Sequence, residues 1–294
     1  MLVVCVGDGL GNQMFQYAFY LELQYKYPGN KITMDICNFY GSMNNHNGYE
    51  LERIFGIKAN ICPKHEALML ADYYPRQNKL ISKCYYWRKI VFGQKDCFIT
   101  VDDPTYFYES VFKLNPLKSY MFRGNWINEN YFTDVREQLF MDFHFPPIID
   151  KQNQQLLHEI EMNESVSIHV RRGDYLNTGM CKPGIEYYKH ALNEIYKRIG
   201  KKIKCFIFSD DTEYVKREFK FLDNYVLIDN NRGGSSYRDM QLMTYCKHNI
   251  IANSTFSFWG AYLNRYSNKV VVAPKKAAPE YMNSFACSDW ILLD

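Results

Sequence analysis

Two adjacent arginines, Arg171 and Arg172, follow an apolar run from Val166 to Val170 and precede Gly173 and Asp174. Guanidinium forks at the carboxyl end of a strand, beside a glycine turn, suit bidentate recognition of a diphosphate, and their charge does not titrate away. A salt bridge from one of them to Asp174 is the structural alternative, because neighbours along a strand point to opposite faces. His169 shares a strand face with Arg171 and reads either as a ligand-facing ring or as a satisfied core histidine. A third group is Asp239 with Ser254 and Thr255, fifteen and sixteen residues on. Asn253-Ser254-Thr255 lies between a strand and a helix beginning near Phe256. Two hydroxyls and several N–H groups then meet at the positive end of a helix, and simple capping is the competing account.

Near the start of the chain, Gly7-Asp8-Gly9-Leu10-Gly11-Asn12 separates an apolar run from a helical pattern. A dinucleotide fingerprint would need glycine where Asn12 stands, and no Walker-type phosphate loop is present. What remains is a nest of backbone N–H groups with Asn12 and Gln13 as side-chain donors to an anion, or else a tight turn. Asp210 and Asp211 follow another strand. Paired aspartates suggest a metal, but adjacent side chains diverge and divalent ions want several convergent oxygens, so helix capping or holding of nearby loops is expected of them.

These residues need rigid elements behind them. Residues 2–6 read as a strand, 12–27 as a helix with Phe15, Ala18, Phe19 and Leu23 on one stripe, and 31–35 as a second strand. From about 40 to 145 the periodicity is weak. Beyond it, strands are expected at 166–170, 203–208, 225–228, 249–252 and 269–272, with helices at 184–199, 212–220, 236–247 and 255–265. Such alternation argues for a parallel sheet wrapped by helices. Pro146-Pro147 marks the expected boundary between two lobes, 1–147 and 148–294.

With 35 basic against 32 acidic residues, the net charge of +3 is too small to attract nucleic acid by itself. Nine scattered cysteines without a C-x-x-C pair argue against a disulfide scaffold or a zinc site. Apolar runs are strand-sized, and the chain starts on a strand rather than on a signal segment, so a cytoplasmic location is expected. Peripheral contact with the inner face of a membrane is an open expectation. The basic stretch Lys197 to Lys204 is one candidate, with a solvated helix end as its alternative.

Three segments in this order resemble the bacterial α-1,2-fucosyltransferases of glycosyltransferase family 11. They are Gly9-Leu10-Gly11-Asn12-Gln13-Met14-Phe15-Gln16-Tyr17-Ala18, the stretch from His169 to Tyr175, and the stretch from Asn253 to Leu263. Tyr49-Glu50-Leu51 and Gly124-Asn125-Trp126 are weaker matches. The resemblance implies an α/β fold of GT-B type, two Rossmann-like lobes with a cleft between them. It also implies an inverting transfer of fucose from GDP-fucose to the 2-hydroxyl of a galactose-containing glycan, with no metal or other cofactor. By the same resemblance Arg171 holds the β-phosphate, joined by Arg172, and His169 and Asp239 bind the base. Ser254 and Thr255, with Phe256 beside them, hold phosphate, and Asn12 closes over it from the first lobe. The sequence departs from the family at Asp8, where glycine is usual. Asp8 and Asp35, both at carboxyl ends of first-lobe strands, are the candidate bases. A transferase of another GDP-sugar or linkage, and a nucleotide-sugar-binding protein without turnover, are the rival readings.

Overall fold

The computed structural model describes residues 1–39, 46–71, 79–93, 95–173, 181–277 and 283–294. The chain divides into two compact units, Met1–His144 and Phe145–Asp294. The division precedes Pro146-Pro147, because Arg238 Nη1 and Nη2 donate to the carbonyls of Pro146 (2.7 Å) and Pro147 (2.9 Å) and tie both prolines to the second unit.

In the first unit, strands β1 (Leu2–Cys5), β2 (Ile32–Asp35), β3 (Phe98–Thr100) and β4 (Tyr120–Arg123) form a parallel sheet in the order β2-β1-β4-β3. Strands β1 and β2 are buried throughout, as expected of parallel strands covered on both faces. Helix α1 (Leu10–Lys26) buries the whole expected stripe of Phe15, Ala18, Phe19 and Leu23. Phe19 stacks on Trp126 with ring centroids 4.2 Å apart and meets Tyr131 edge-on. Short helices α2 (Leu51–Phe55) and α3 (Lys64–Leu70), the longer α4 (Lys79–Phe92) and α5 (Arg136–Asp142) complete the described α-helices of this unit.

The second unit opens with α6 (Lys151–Glu161), followed by strands β5 (Ser165–Val170), β6 (Lys204–Ser209), β7 (Tyr225–Ile228), β8 (His248–Ile250), β9 (Val271–Pro274) and β10 (Ile291–Leu293). All pair in parallel, in the order β10-β9-β8-β5-β6-β7. Between them lie α7 (Ile185–Ile199), α8 (Thr212–Glu218), α9 (Tyr237–Tyr245) and α10 (Thr255–Tyr262). Alternation along β5 sorts its side chains. Val166, Ile168 and Val170 pack with Tyr187, Tyr188, Ala191 and Ile195 of α7. On the opposite face Ser167 takes a 2.7 Å hydrogen bond from Asn249 Nδ2, and the same amide donates to the Met243 carbonyl of α9. His169 lies two residues further along that face. Gly260 is required where α10 crosses α9, since a Cβ there would stand 2.9 Å from Met243 Cβ.

Candidate functional site

The chain leaves β5 to build β6 and β7 on one side, then returns to build β8, β9 and β10 on the other. The strand order therefore switches between β5 and β8, and open α/β sheets bind ligands outside the carboxyl ends of strands at such a point. Arg171 and Arg172 leave β5 there, and Ser254 to Phe256 follow β8. The His169 and Phe256 rings are 5.9 Å apart, so two segments distant in sequence meet.

Asp210, at the end of β6, organises the arginine turn. Its Oδ1 accepts the Arg172 amide at 2.9 Å, and its Oδ2 accepts the Gly173 amide at 3.1 Å and lies 3.0 Å from Arg171 Nη1. A Cβ at 173 would come within 2.9 Å of Asp210 Oδ2 and would have to push that carboxylate aside. Asp211 diverges: Oδ1 caps α8 by accepting the Tyr214 amide at 2.9 Å, and Oδ2 lies 3.5 Å from Arg172 Nε. The Arg172 guanidinium sits 3.8 Å from the centre of the Tyr214 ring. Three of the four oxygens of the aspartate pair thus accept backbone amides and the fourth lies in ion-pair range of Arg172, which is the loop-holding and capping arrangement expected of them. Asp174, the salt-bridge alternative in the sequence, lies outside the described residues. Among the described residues no three His, Cys, Asp or Glu side chains gather as a metal site.

His169 is buried, and its Nδ1 has no hydrogen-bond partner. Burial, helped by the charge of Arg171, pushes its pKa down to about 3, so the ring is neutral at working pH. The satisfied core histidine is therefore not what the fold provides. An orphan buried nitrogen costs about 1–3 kcal/mol, which a ligand hydrogen bond would offset. Tyr188, on α7, fixes the backbone here by donating to the His169 carbonyl at 3.2 Å.

Ser254 is the N-cap of α10 in extended backbone, yet its side chain makes no capping hydrogen bond. Neither it nor Thr255 closes the first turn, whose N–H groups an α-helix leaves without intrahelical partners. Asn253 does structural work, its Nδ2 donating to the carbonyls of Cys181 and Lys276, both at 2.8 Å. Asp239 stands in the first turn of α9, and its Oδ1 accepts from Asn231 Nδ2 at 2.7 Å. Asn231 is cross-linked in turn to Asn153. Burial raises the Asp239 pKa to about 7.

In the first unit, a cleft of about 580 Å³ opens at the carboxyl ends of the strands, lined by Asp8, Asn38, His46, Arg123 and Asn125 among others. Asp8 is exposed and has φ 62°, so a non-glycine residue holds the left-handed position of the loop. Asn12 makes a long contact, Nδ2 to Asp8 Oδ2 at 3.4 Å. Two expectations need correction. Gln13 is no anion donor: its Nε2 donates to the carbonyls of Asp8 and Gly48, both at 2.9 Å, and its Oε1 accepts the Glu50 amide. Asp35 is buried, absent from the cleft lining, and its Oδ1 accepts the Cys37 amide at 3.0 Å, so it braces the turn after β2. Sequence reasoning missed Gln16, which joins two loops by accepting the Gly7 amide and donating to the Gly124 carbonyl and Asn125 Oδ1. Its place within the quoted glycine-loop segment was the available signal.

The family model for glycosyl transferase family 11 matches residues 1–294. This chain belongs to that family. The family 11 chain is 30% identical to the O-antigen biosynthesis glycosyltransferase WbnK of Escherichia coli, covering 98% of this chain and 99% of the relative. It is 28% identical to an alpha-1,2-colitosyltransferase of Escherichia coli, covering 100% and 99%. It is also 28% identical to galactoside 2-alpha-L-fucosyltransferase SEC1 of Bos taurus, over 45% of this chain and 39% of the relative. Among solved structures, a mutant of Arabidopsis thaliana FUT1 in complex with GDP superimposes with a TM-score of 0.50 at 11% identity, covering 95% of this chain and 70% of that one. That likeness is one of fold and agrees with the GT-B class expected from the sequence. No described helix is long and apolar enough to cross a membrane.

Proposed function

We propose that this family 11 glycosyltransferase moves L-fucose from GDP-fucose to the 2-hydroxyl of a terminal galactose in a glycan acceptor, with inversion and without a metal. The observation that carries this reading is the buried, unpartnered His169 Nδ1 at a strand switch point where Arg171 and the open first turn of α10 converge. In this account Arg171 directs its fork at the β-phosphate, and Ser254, Thr255 and the α10 amides hold phosphate oxygens. His169 and Asp239 serve the base, because guanine presents N–H donors that suit a carboxylate. Phe256 stands beside His169 and packs against the nucleotide. Arg172, held by Tyr214 and Asp211, anchors the turn that carries Arg171.

In the displacement, the bond between fucosyl C1 and the β-phosphate oxygen breaks as the acceptor oxygen bonds to C1 from the opposite face. Negative charge gathers on the departing GDP, where fixed donors stabilise it most. The hydroxyl proton passes to the Asp8 carboxylate, and Asn12 steadies that side chain. The formal charges of Arg171, Arg172, Asp210 and Asp211 cancel, so stabilisation rests on directed N–H groups and a helix terminus rather than on surplus charge.

The full-length similarity to a colitosyltransferase favours GDP-colitose as the second reading. Colitose is fucose without its 3-hydroxyl, so the two readings differ at one group of the donor. Steady-state transfer from GDP-fucose, GDP-colitose and GDP-mannose to one galactoside decides between them. The proposal expects the highest kcat/KM with GDP-fucose; a clear preference for either other donor would replace it.

A further inference from the structure

Helix α4 departs from the usual rule for a surface helix, which turns its apolar stripe inward. Leu80, Cys84, Trp87 and Val91 are spaced four, three and four apart and share one face, and Leu80 (75%), Trp87 (61%) and Val91 (66%) are exposed. Ile90 and Tyr86 extend this surface, and Phe92 ends it at 76% exposure. The opposite side is tied down: Tyr85 donates to the Leu68 carbonyl at 2.9 Å, and Lys95, just beyond the helix, donates to the carbonyls of Met69 and Ala71. Exposure of the stripe is therefore fixed by the packing of the helix.

The charge on this segment is one-sided. Lys79, Lys83, Arg88 and Lys89 occur between residues 79 and 89, and the first acidic residue after them is Asp96. The basic stretch 197–204 differs, because Lys197, Lys201 and Lys204 pair with Glu194, Glu164 and Glu159. Apolar and aromatic side chains flanked by a one-signed run of cations suit the boundary between headgroups and acyl chains, where tryptophan and tyrosine are favoured and lysine reaches lipid phosphate. We propose that α4 seats this protein on an anionic bilayer surface, lying in the plane of the headgroups with Trp87 and Val91 inserted.

The four tryptophans make the test direct, since Trp126, Trp259 and Trp290 are buried and Trp87 alone is exposed. The full chain is mixed with vesicles of phosphatidylcholine, with or without phosphatidylglycerol, and followed by co-sedimentation and tryptophan emission. The proposal expects binding to the anionic vesicles with a blue shift. It expects an affinity about tenfold or more lower in Trp87→Ser/Val91→Ser and in Lys83→Glu/Lys89→Glu. Failure to bind either vesicle, or unchanged binding by both variants, would overturn it. A Trp87 blue shift that appears with protein concentration alone, together with a dimer in sedimentation velocity, would overturn it in favour of a second copy of this chain.

Discussion

Arg171 and Asp210 form the ion pair at the centre of the proposed donor site, with Nη1 3.0 Å from Oδ2 while the same carboxylate accepts the amides of residues 172 and 173. One side chain from β6 thus sets both the path of the turn after β5 and the direction of a guanidinium. Arg171→Ala is expected to fold and to lose about two orders of magnitude or more in transfer, since removing one fixed donor from a developing oxyanion costs about 3 kcal/mol. Arg171→Lys should recover little, because a point charge does not reproduce a fork. Turnover near wild type in either variant, measured as GDP release, would remove Arg171 from the leaving group.

Asp239 should make GDP binding pH-dependent. Its folded pKa of about 7 lies above the ordinary carboxylate range, so the acceptor form is present above that pH and lost below it. Affinity for GDP is therefore expected to fall as pH drops from about 8 to 6, and in Asp239→Asn to be weaker and flatter across the same range. The stability sign is opposite: the native state holds this proton more tightly than the unfolded chain. Stability from this group is present below the ordinary carboxylate pKa and is lost as pH rises through about 7. Calorimetric titration of both proteins at three pH values checks the binding slope; parallel slopes would place the base elsewhere.

If Asp8 takes the acceptor proton as proposed, it trades stability for activity. A non-glycine residue at φ 62° is strained, so Asp8→Gly should raise stability by up to about 1 kcal/mol while transfer falls steeply. Asp8→Asn keeps the side-chain shape and should also lose transfer. Thermal melts and initial rates on the same samples separate the two effects. Full activity in both variants would leave Asp8 as a strained loop residue with no part in proton removal.

Transfer should survive EDTA. A divalent ion would need convergent oxygens, and those of Asp210 and Asp211 already face the Arg172, Gly173 and Tyr214 amides and the two guanidinium groups. Stimulation of a few-fold by magnesium is compatible, because GDP chelates it and leaves sooner. Complete loss on chelation, restored by one specific cation, would contradict this account of the leaving group.

The second unit was legible in the sequence because its strands are apolar runs broken by helical stripes. The strand expected at 225–228 matches the observed bounds, and the helix expected at 184–199 ends where Gly200 adopts φ 63°. β10 escaped notice, being three residues long and only partly buried. The middle of the first unit was opaque for a related reason. β3 and β4 are three and four residues long, so the pairing of β4 with β1 and of β3 with β4 depends on long-range contacts that local periodicity does not record. At the site, residue types pointed to Arg171 and His169, but partners did not follow from spacing. Asp210, thirty-nine residues from Arg171, is its neighbour only through the register of β5 and β6. Gln13 looks like a ligand donor in sequence, and burial turns it, like its neighbour Gln16, into a strut between loops.

The central claim is the reaction itself, and the most direct measurement is the linkage of the product. Incubation with GDP-fucose and a β-galactoside, followed by nuclear magnetic resonance of the purified product, is expected to show one α-fucosyl residue on O2 of galactose, with one GDP released per product. A β-anomeric product, attachment at another hydroxyl, or GDP release without any transfer to a panel of galactosides would contradict it.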